Sequence, residues 1–188
     1  MNRWAKQQGF TIVELLIVIV IIGILAAITT VAYNGIQGRA NNSARITAAK
    51  QTLGMILAYK ATYGSYPTTS ARCLTIDNMC TNYNGTTLTS DNAAIVTELQ
   101  KVGSVVSSVP KTGTFYGLYY DYYLPRTYNG DKIPLLMMYW LEGDNQQCQL
   151  SNTVVGLPAT PEEPNRFGTS TTGYTSTGGG RTSCWVSI

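Results

Sequence analysis

The 188-residue chain contains no histidine. That removes the commonest general base and the commonest metal ligand, so hydrolase triads and zinc sites have little to be built from. Charge is scarce as well. Asp, Glu, Lys and Arg together make up 12% of the residues, with 13 basic and 10 acidic. Two of the basic residues, Arg3 and Lys6, fall in the first nine positions, and the remainder is close to neutral. A nucleic-acid binder would need a basic stripe to neutralise phosphates, and the sequence has none. No nucleophile stands beside a base and no carboxylate pair has a telling spacing. The expectation is therefore a protein that is not an enzyme and needs no cofactor and no metal.

What the chain has in their place is a long apolar run. From Phe10 to about Ala32 the only ionisable residue is Glu14, and Leu15 to Ile28 holds nothing but apolar residues and Gly23. At about 1.5 Å of rise per residue, this stretch spans a hydrocarbon layer of roughly 30 Å. A secretory signal would carry an apolar core of roughly 7–15 residues before a small-residue cleavage site. Ala26-Ala27 imitates such a site, but the run is longer than a signal requires. Arg3 and Lys6 ahead of it favour a cytoplasmic N-terminus, which places the rest of the chain outside the cytoplasm.

Glu14 is the anomaly. A carboxylate at the centre of a membrane helix costs roughly 2.5–3.5 kcal/mol, and less near an end. Either Glu14 sits at headgroup level or it has a positive partner, and no lysine or arginine is nearby on its C-terminal side. Cleavage after Gly9 would create one, the new α-amino group of Phe10. At about 4 Å and an effective dielectric near 20, such a pair is worth on the order of 4 kcal/mol. Phe10 lies one helical turn from Glu14, so the amine could be its own. It could also come from a neighbouring molecule shifted by about a turn, which would set the register of subunits in a stack.

The string Gly9-Phe10-Thr11-Ile12-Val13-Glu14 follows a short basic leader and precedes a run ending Gly23-Ile24-Leu25-Ala26-Ala27-Ile28. It resembles the class III signal of type IV pilins and pseudopilins. The resemblance implies that a membrane aspartyl peptidase cuts after Gly9, that Phe10 becomes an N-methylated terminus, and that Glu14 assists docking into a growing filament. It covers residues 1 to about 67, because "YKATYGSYP" (59–67) is similar to the end of the long helix and the following turn in that family. One departure matters: many pilins have proline where this chain has Val31. That proline is associated with helix loosening in filaments. Gly35, Gly38 and the polar "RANNS" (39–43) are the alternative weak points here, since glycine costs about 1 kcal/mol in a helix.

Beyond the apolar run, Ile46, Ala49, Leu53, Ile56 and Leu57 recur at three- and four-residue steps and predict one apolar helix stripe. Arg45, Lys50 and Lys60 fall elsewhere, suited to water or subunit contacts. Gly64 and Pro67 end the helix, giving a rod on the order of 80 Å from Phe10 to about Tyr63. Residues 68–90 read as loop, and Asn92 to Val102 as a short helix. Three strand candidates follow: "TFYGLYYDYYL" (114–124), "IPLLMMYWL" (133–141) and "QCQLS" (147–151). The turn strings "YNGD" (128–131) and "EGDN" (142–145) separate them. "FGTSTTGYTSTGGGR" (167–181) reads as low-complexity and mobile, and "TSCWVSI" (182–188) as a short strand. The predicted fold class is α+β, a long N-terminal helix, transmembrane in its first half, packed against a small antiparallel sheet as in pilins.

Four cysteines in an exported head suggest two disulfides. Cys73, Cys80, Cys148 and Cys184 allow three pairings. Cys73 with Cys80 closing a short loop, and Cys148 with Cys184 tying the last strand to the meander, is the favoured set, but the sequence leaves it open. Thirteen tyrosines are many for this length. Those of "YGLYYDYY" (116–123) are expected to fill the core and form cross-strand pairs, with an adhesive surface as the alternative. Glu142 and Asp144 read as a plain turn rather than a calcium loop. The Asn-x-Ser/Thr triplets at Asn41 and Asn84 are within chance.

These readings divide the chain into a leader (1–9), a transmembrane half-helix (10–32), an exposed half-helix (33–64) and a globular head (65–188). The resemblance implies a type IV pilus subunit that polymerises through its N-terminal helix and serves adhesion, twitching motility or DNA uptake. Its implied partners are copies of itself, other pilins, a prepilin peptidase, a pilus assembly platform, membrane lipid before assembly, and a surface ligand of unknown kind. The runner-up is a pseudopilin of a type II secretion system. A membrane-anchored binding module that never polymerises is the reading from a different class.

Overall fold

The computed structural model describes residues 9–67, 72–82, 85–89, 92–121, 126–128, 131–133, 136–151, 153–156, 166–169, 174–175 and 180–188. Of these, 126–128, 131–133, 153–156, 166–169 and 174–175 are described as backbone only. The chain divides into two compact units, Met1–Arg39 and Ala40–Ile188.

Helix α1 (Ile12–Tyr63) runs through both units, and its last part carries the buried stripe. That stripe consists of Arg45, Ile46, Ala48, Ala49, Thr52, Met55, Ile56 and Tyr59, steps of three and four that lie on one face. Leu53 packs half-buried against the same cluster. Two expectations are corrected. Leu57 is 44% exposed, because one residue past Ile56 turns it about 100° off the stripe. Arg45, expected off the stripe and facing water or another subunit, is buried at 2% exposure. The helix stops where Gly64 takes φ 75° and its N–H donates to the Lys60 carbonyl at 2.9 Å, a left-handed cap for which glycine carries no Cβ penalty.

After α1 come β1 (Arg72–Cys73), β2 (Cys80–Thr81) and β3 (Thr87–Leu88), short pieces within a stretch expected to be loop. Helix α2 (Ala93–Gln100) follows, with Ile95 and Leu99 buried. Asn92, at its N-terminus, does not cap it. Its amide donates instead to the carbonyls of Cys73 and Thr75. The remaining strands are β4 (Leu118–Asp121), β5 (Arg126–Tyr128), β6 (Asp131–Ile133), β7 (Leu136–Glu142), β8 (Thr153–Gly156), β9 (Arg166–Thr169), β10 (Tyr174–Thr175) and β11 (Arg181–Ser187).

Among the described residues nine strands form one sheet in the order β1-β4-β7-β11-β8-β9-β5-β6, with β10 also on β11, while β2 and β3 pair by themselves. Pairing is antiparallel except between β5 and β9. The centre is β7 against β11, in register from Arg181 opposite Glu142 to Ser187 opposite Leu136. The sheet is thus larger than a three-strand meander, and β7's second neighbour is the C-terminal strand. Residues 147–151 hold no strand beyond a single-residue bridge at Gln147; Gln149 has φ 55°, which breaks an extended run. Within the 114–124 candidate, β4 begins only at Leu118 because Gly117 turns with φ 56° against the Met79 carbonyl, and residues 122–124 lie outside the described set. The 133–141 candidate divides between β6 and β7: its first residue ends β6 and residues 136–141 belong to β7. Tyr128 opposite Asp131 leaves Asn129-Gly130 between partners, a two-residue hairpin spacing, although those two residues lie outside the described set. The 167–181 stretch, read as low-complexity and mobile, contains most of β9 and all of β10; its residues 170–173 and 176–179 lie outside the described set.

Both faces of the central strands are covered. Leu118, Tyr120, Met137, Tyr139, Leu141, Cys184 and Val186 join the α1 stripe in the main core. Tyr119, Met138 and Trp140 point the other way, into a second cluster with Cys73 and Cys80. The alternation is the period of two expected of strands buried on both sides. Tyr119 and Tyr120 are therefore core residues, not an adhesive face; Tyr122 and Tyr123 lie outside the described set.

Candidate functional site

Gly9 and Phe10 precede the helix without regular structure, and Phe10 is 86% exposed. Thr11 is the cap residue immediately before α1. Its hydroxyl accepts from the Glu14 N–H at 3.2 Å, and its N–H and hydroxyl both donate to Glu14 Oε2 at 2.8 Å. The first ladder bond follows, from Leu15 N–H to the Thr11 carbonyl at 3.2 Å. This is the reciprocal capping box Thr-x-x-Glu, which satisfies donors that a helix start leaves open. Glu14 is thus occupied by Thr11. The Thr-x-x-Glu spacing stands in the sequence just ahead of the apolar run.

From Leu15 to Ile28 every large apolar side chain is half or more exposed, on all sides of the helix. A helix apolar all round calls for an apolar surrounding. Among the described residues α1 is the one helix long and apolar enough to cross a membrane. The two hydroxyls at the end of the run are satisfied within the helix, Thr29 donating to the Leu25 carbonyl at 2.7 Å and Thr30 to Ala26 at 2.9 Å. That arrangement leaves no side-chain donor bare in hydrocarbon.

The four cysteines form two disulfides, Cys73 with Cys80 and Cys148 with Cys184. The first lies in the cluster on the outer face of the sheet, the second in the main core. A further junction has no sequence motif of its own. The Asn42 side-chain amide pairs with the backbone of Glu142, donating to its carbonyl and accepting from its N–H, both at 2.8 Å. Arg45 Nε donates to the Pro110 carbonyl at 2.6 Å and Nη1 to Asn42 Oδ1 at 3.0 Å. Nothing in the residue types alone announces it, because the backbone groups of Glu142 and Pro110 that it engages are distant in sequence.

The family profile described as "Prokaryotic N-terminal methylation motif" matches residues 4–30. The fimbrial protein EcpC of Eikenella corrodens is 31% identical over 112 residues, 60% of this chain and 69% of that protein. The type IV major pilin protein PilE1 of Neisseria gonorrhoeae is 41% identical over 61 residues, 32% of this chain and 37% of its own length. The fimbrial protein of Moraxella nonliquefaciens is 32% identical over 118 residues, 62% of this chain and 66% of that protein. The match to PilE1 thus spans just over a third of that relative. No solved structure matches the chain. An apolar, capped N-terminal helix whose second part packs on a mostly antiparallel sheet defines a pilin-like α+β protein. With these relatives, the chain belongs to the type IV pilin family.

Proposed function

We propose that this chain is a precursor of a type IV pilus subunit, in which residues 1–9 are a leader removed after Gly9 and Phe10 is the new, methylated N-terminus. Residues 10–32 hold the subunit in the membrane before assembly and then bundle with those of other copies, while residues 65–188 face outward. Cleavage frees a cationic amine at Phe10, and Glu14 then exchanges Thr11 for the amine of a neighbour, setting subunit register. Gly23, Ala26 and Ala27 allow close approach of helices as they trade lipid for one another. The partners are copies of itself and other pilins, the prepilin peptidase and the assembly platform. The filament would serve adhesion, twitching motility or DNA uptake.

The observation that carries this reading is the apolar segment Leu15–Ile28, exposed on every side, with Glu14 as the only ionisable residue from Phe10 to Ala32. The relatives described as fimbrial and major pilin proteins support the filament over the secretion-system alternative. Intact mass and N-terminal sequencing of filaments sheared from cells, set against the membrane fraction, test it. The expected species in the sheared fraction starts at methylated Phe10 and carries two disulfides. Processed protein confined to membranes would point to a minor pilin or pseudopilin, and functional protein starting at Met1 would overturn the reading.

A further inference from the structure

The bond between Gly9 and Phe10 sits two residues before the helix start, and what holds the start at that place is Thr11. Between Asn2 and Thr11 the chain reads Arg3-Trp4-Ala5-Lys6-Gln7-Gln8-Gly9-Phe10 and contains no Ser, Thr, Asp or Asn. Of the residue types that favour a helix N-cap, only glycine occurs there, at Gly9. If Thr11 lost its capping bonds, the next cap upstream would be Gly9. Phe10 would become the first helical residue, and the Gly9 carbonyl would accept the first ladder bond from Val13. The Gly9–Phe10 peptide would then lie in the first turn of α1.

A protease takes its substrate as an exposed, extended segment, so a bond drawn into a helix must first be unwound. In the structure Gly9 and Phe10 are not helical, Phe10 is exposed, and the Glu14 N–H that could reach back to the Phe10 carbonyl is held by the Thr11 hydroxyl. The family profile that matches residues 4–30 spans this same bond. We infer that Thr11 is a positioning residue for leader removal: its capping box with Glu14 ends the helix short of the Gly9–Phe10 bond and presents that bond to the membrane peptidase in extended form. This rests on the proposed processing after Gly9. Hydrolysis there consumes one water and yields the Gly9 carboxylate and the Phe10 amine. That amine emerges beside the carboxylate which had capped the helix.

The test uses the full chain in lipid vesicles with the prepilin peptidase, and compares wild type with Thr11→Ser, Thr11→Val and Thr11→Ala. Serine keeps the hydroxyl and loses the methyl; valine keeps the shape and loses the hydroxyl. The expected result is that Ser is cut near the wild-type rate while Val and Ala are cut about five-fold more slowly, the size of a lost cap. Backbone carbon chemical shifts of the uncut proteins should show the helix reaching Phe10 in Val and Ala, and not in Ser. Equal cutting of Val and wild type overturns the inference. So does slow cutting of Val with an unmoved helix start, which would make Thr11 a direct contact of the peptidase. A wild type left uncut at Gly9–Phe10 fails differently, because it removes the proposed processing itself and this inference with it.

Discussion

The hydroxyl of Tyr139 donates to the carbonyl of Cys148, whose side chain is joined to Cys184. Burial pushes the Tyr139 hydroxyl above its ordinary pKa of 10.0. In the unfolded chain it ionises near that ordinary value, so above about pH 10 the unfolded state binds fewer protons than the native one. Stability then falls as pH rises toward the folded-state pKa. Tyr139→Phe leaves the Cys148 carbonyl without its donor and should cost about 1–2 kcal/mol at neutral pH. The variant has no proton to lose, so its deficit should shrink as pH rises. Urea unfolding of both proteins at about pH 7 and about pH 10.5 checks this, and a deficit equal at the two values would contradict it. Arg45 teaches how residue type misleads. Burial lowers its guanidinium to about pKa 10, partly offset by Glu142. Its Nη2 has no hydrogen-bond partner among the described residues. Type alone sent it to the surface, since arginine is seldom buried. It is buried because Pro110 and Asn42 accept hydrogen bonds from it: Asn42 lies one turn back on the same helix, but Pro110 is 65 residues away, where the sequence does not place it. Glu14 was legible as an anomaly from composition alone, while its bond to Thr11 needed only the Thr-x-x-Glu spacing.

At the scale of elements, Asn42 fastens α1 to the last residue of β7. The two bonds between the Asn42 amide and the Glu142 backbone imitate a sheet pairing, and Arg45 adds the Pro110 carbonyl one turn on. "RANNS" looked like a weak point because polar residues are poor helix formers, yet its second asparagine and the arginine beyond it are fasteners. Asn42→Ala should therefore raise hydrogen exchange of the α1 amides at 40–45 about ten-fold, at a cost of roughly 1–3 kcal/mol. Exchange at Ile56 and Tyr59, both buried in the core, should be unchanged. Mass-resolved exchange on the full chain measures it, and a rise shared equally by both segments would refute the role. Periodicity located α1, β7 and β11 because their apolar spacing is local. The order of strands was not legible. The neighbour of β7 lies at the far end of the chain, and β9 and β10 are drawn from a Thr- and Gly-rich stretch by backbone pairing, which apolar patterning does not record.

At the scale of the whole molecule, the boundary between Arg39 and Ala40 separates two different solvents' worth of surface. Residues 12–36 contribute most of the exposed large apolar side chains. Residues 40–188 hold both hydrophobic clusters, both disulfides and the Asn42 fastening. About 150 residues suffice for an independent core, and every partner of the buried α1 stripe lies within the second unit. A chain beginning at Ala40 should therefore fold in water without detergent, with both disulfides formed and a melting temperature within about 5 °C of that of the full chain in detergent. The new N-terminus leaves Asn42 two residues from the end, so its bonds to Glu142 should still close the first turn. Combining Asn42→Ala with the truncation should then lower the melting temperature by several degrees more than Lys50→Ala, whose side chain is exposed and should barely change it. Thermal unfolding followed by far-ultraviolet dichroism, with size-exclusion chromatography for the oligomeric state, reads both effects. An aggregated product, or one melting far below the full chain, would mean that the first unit supports the core of the second.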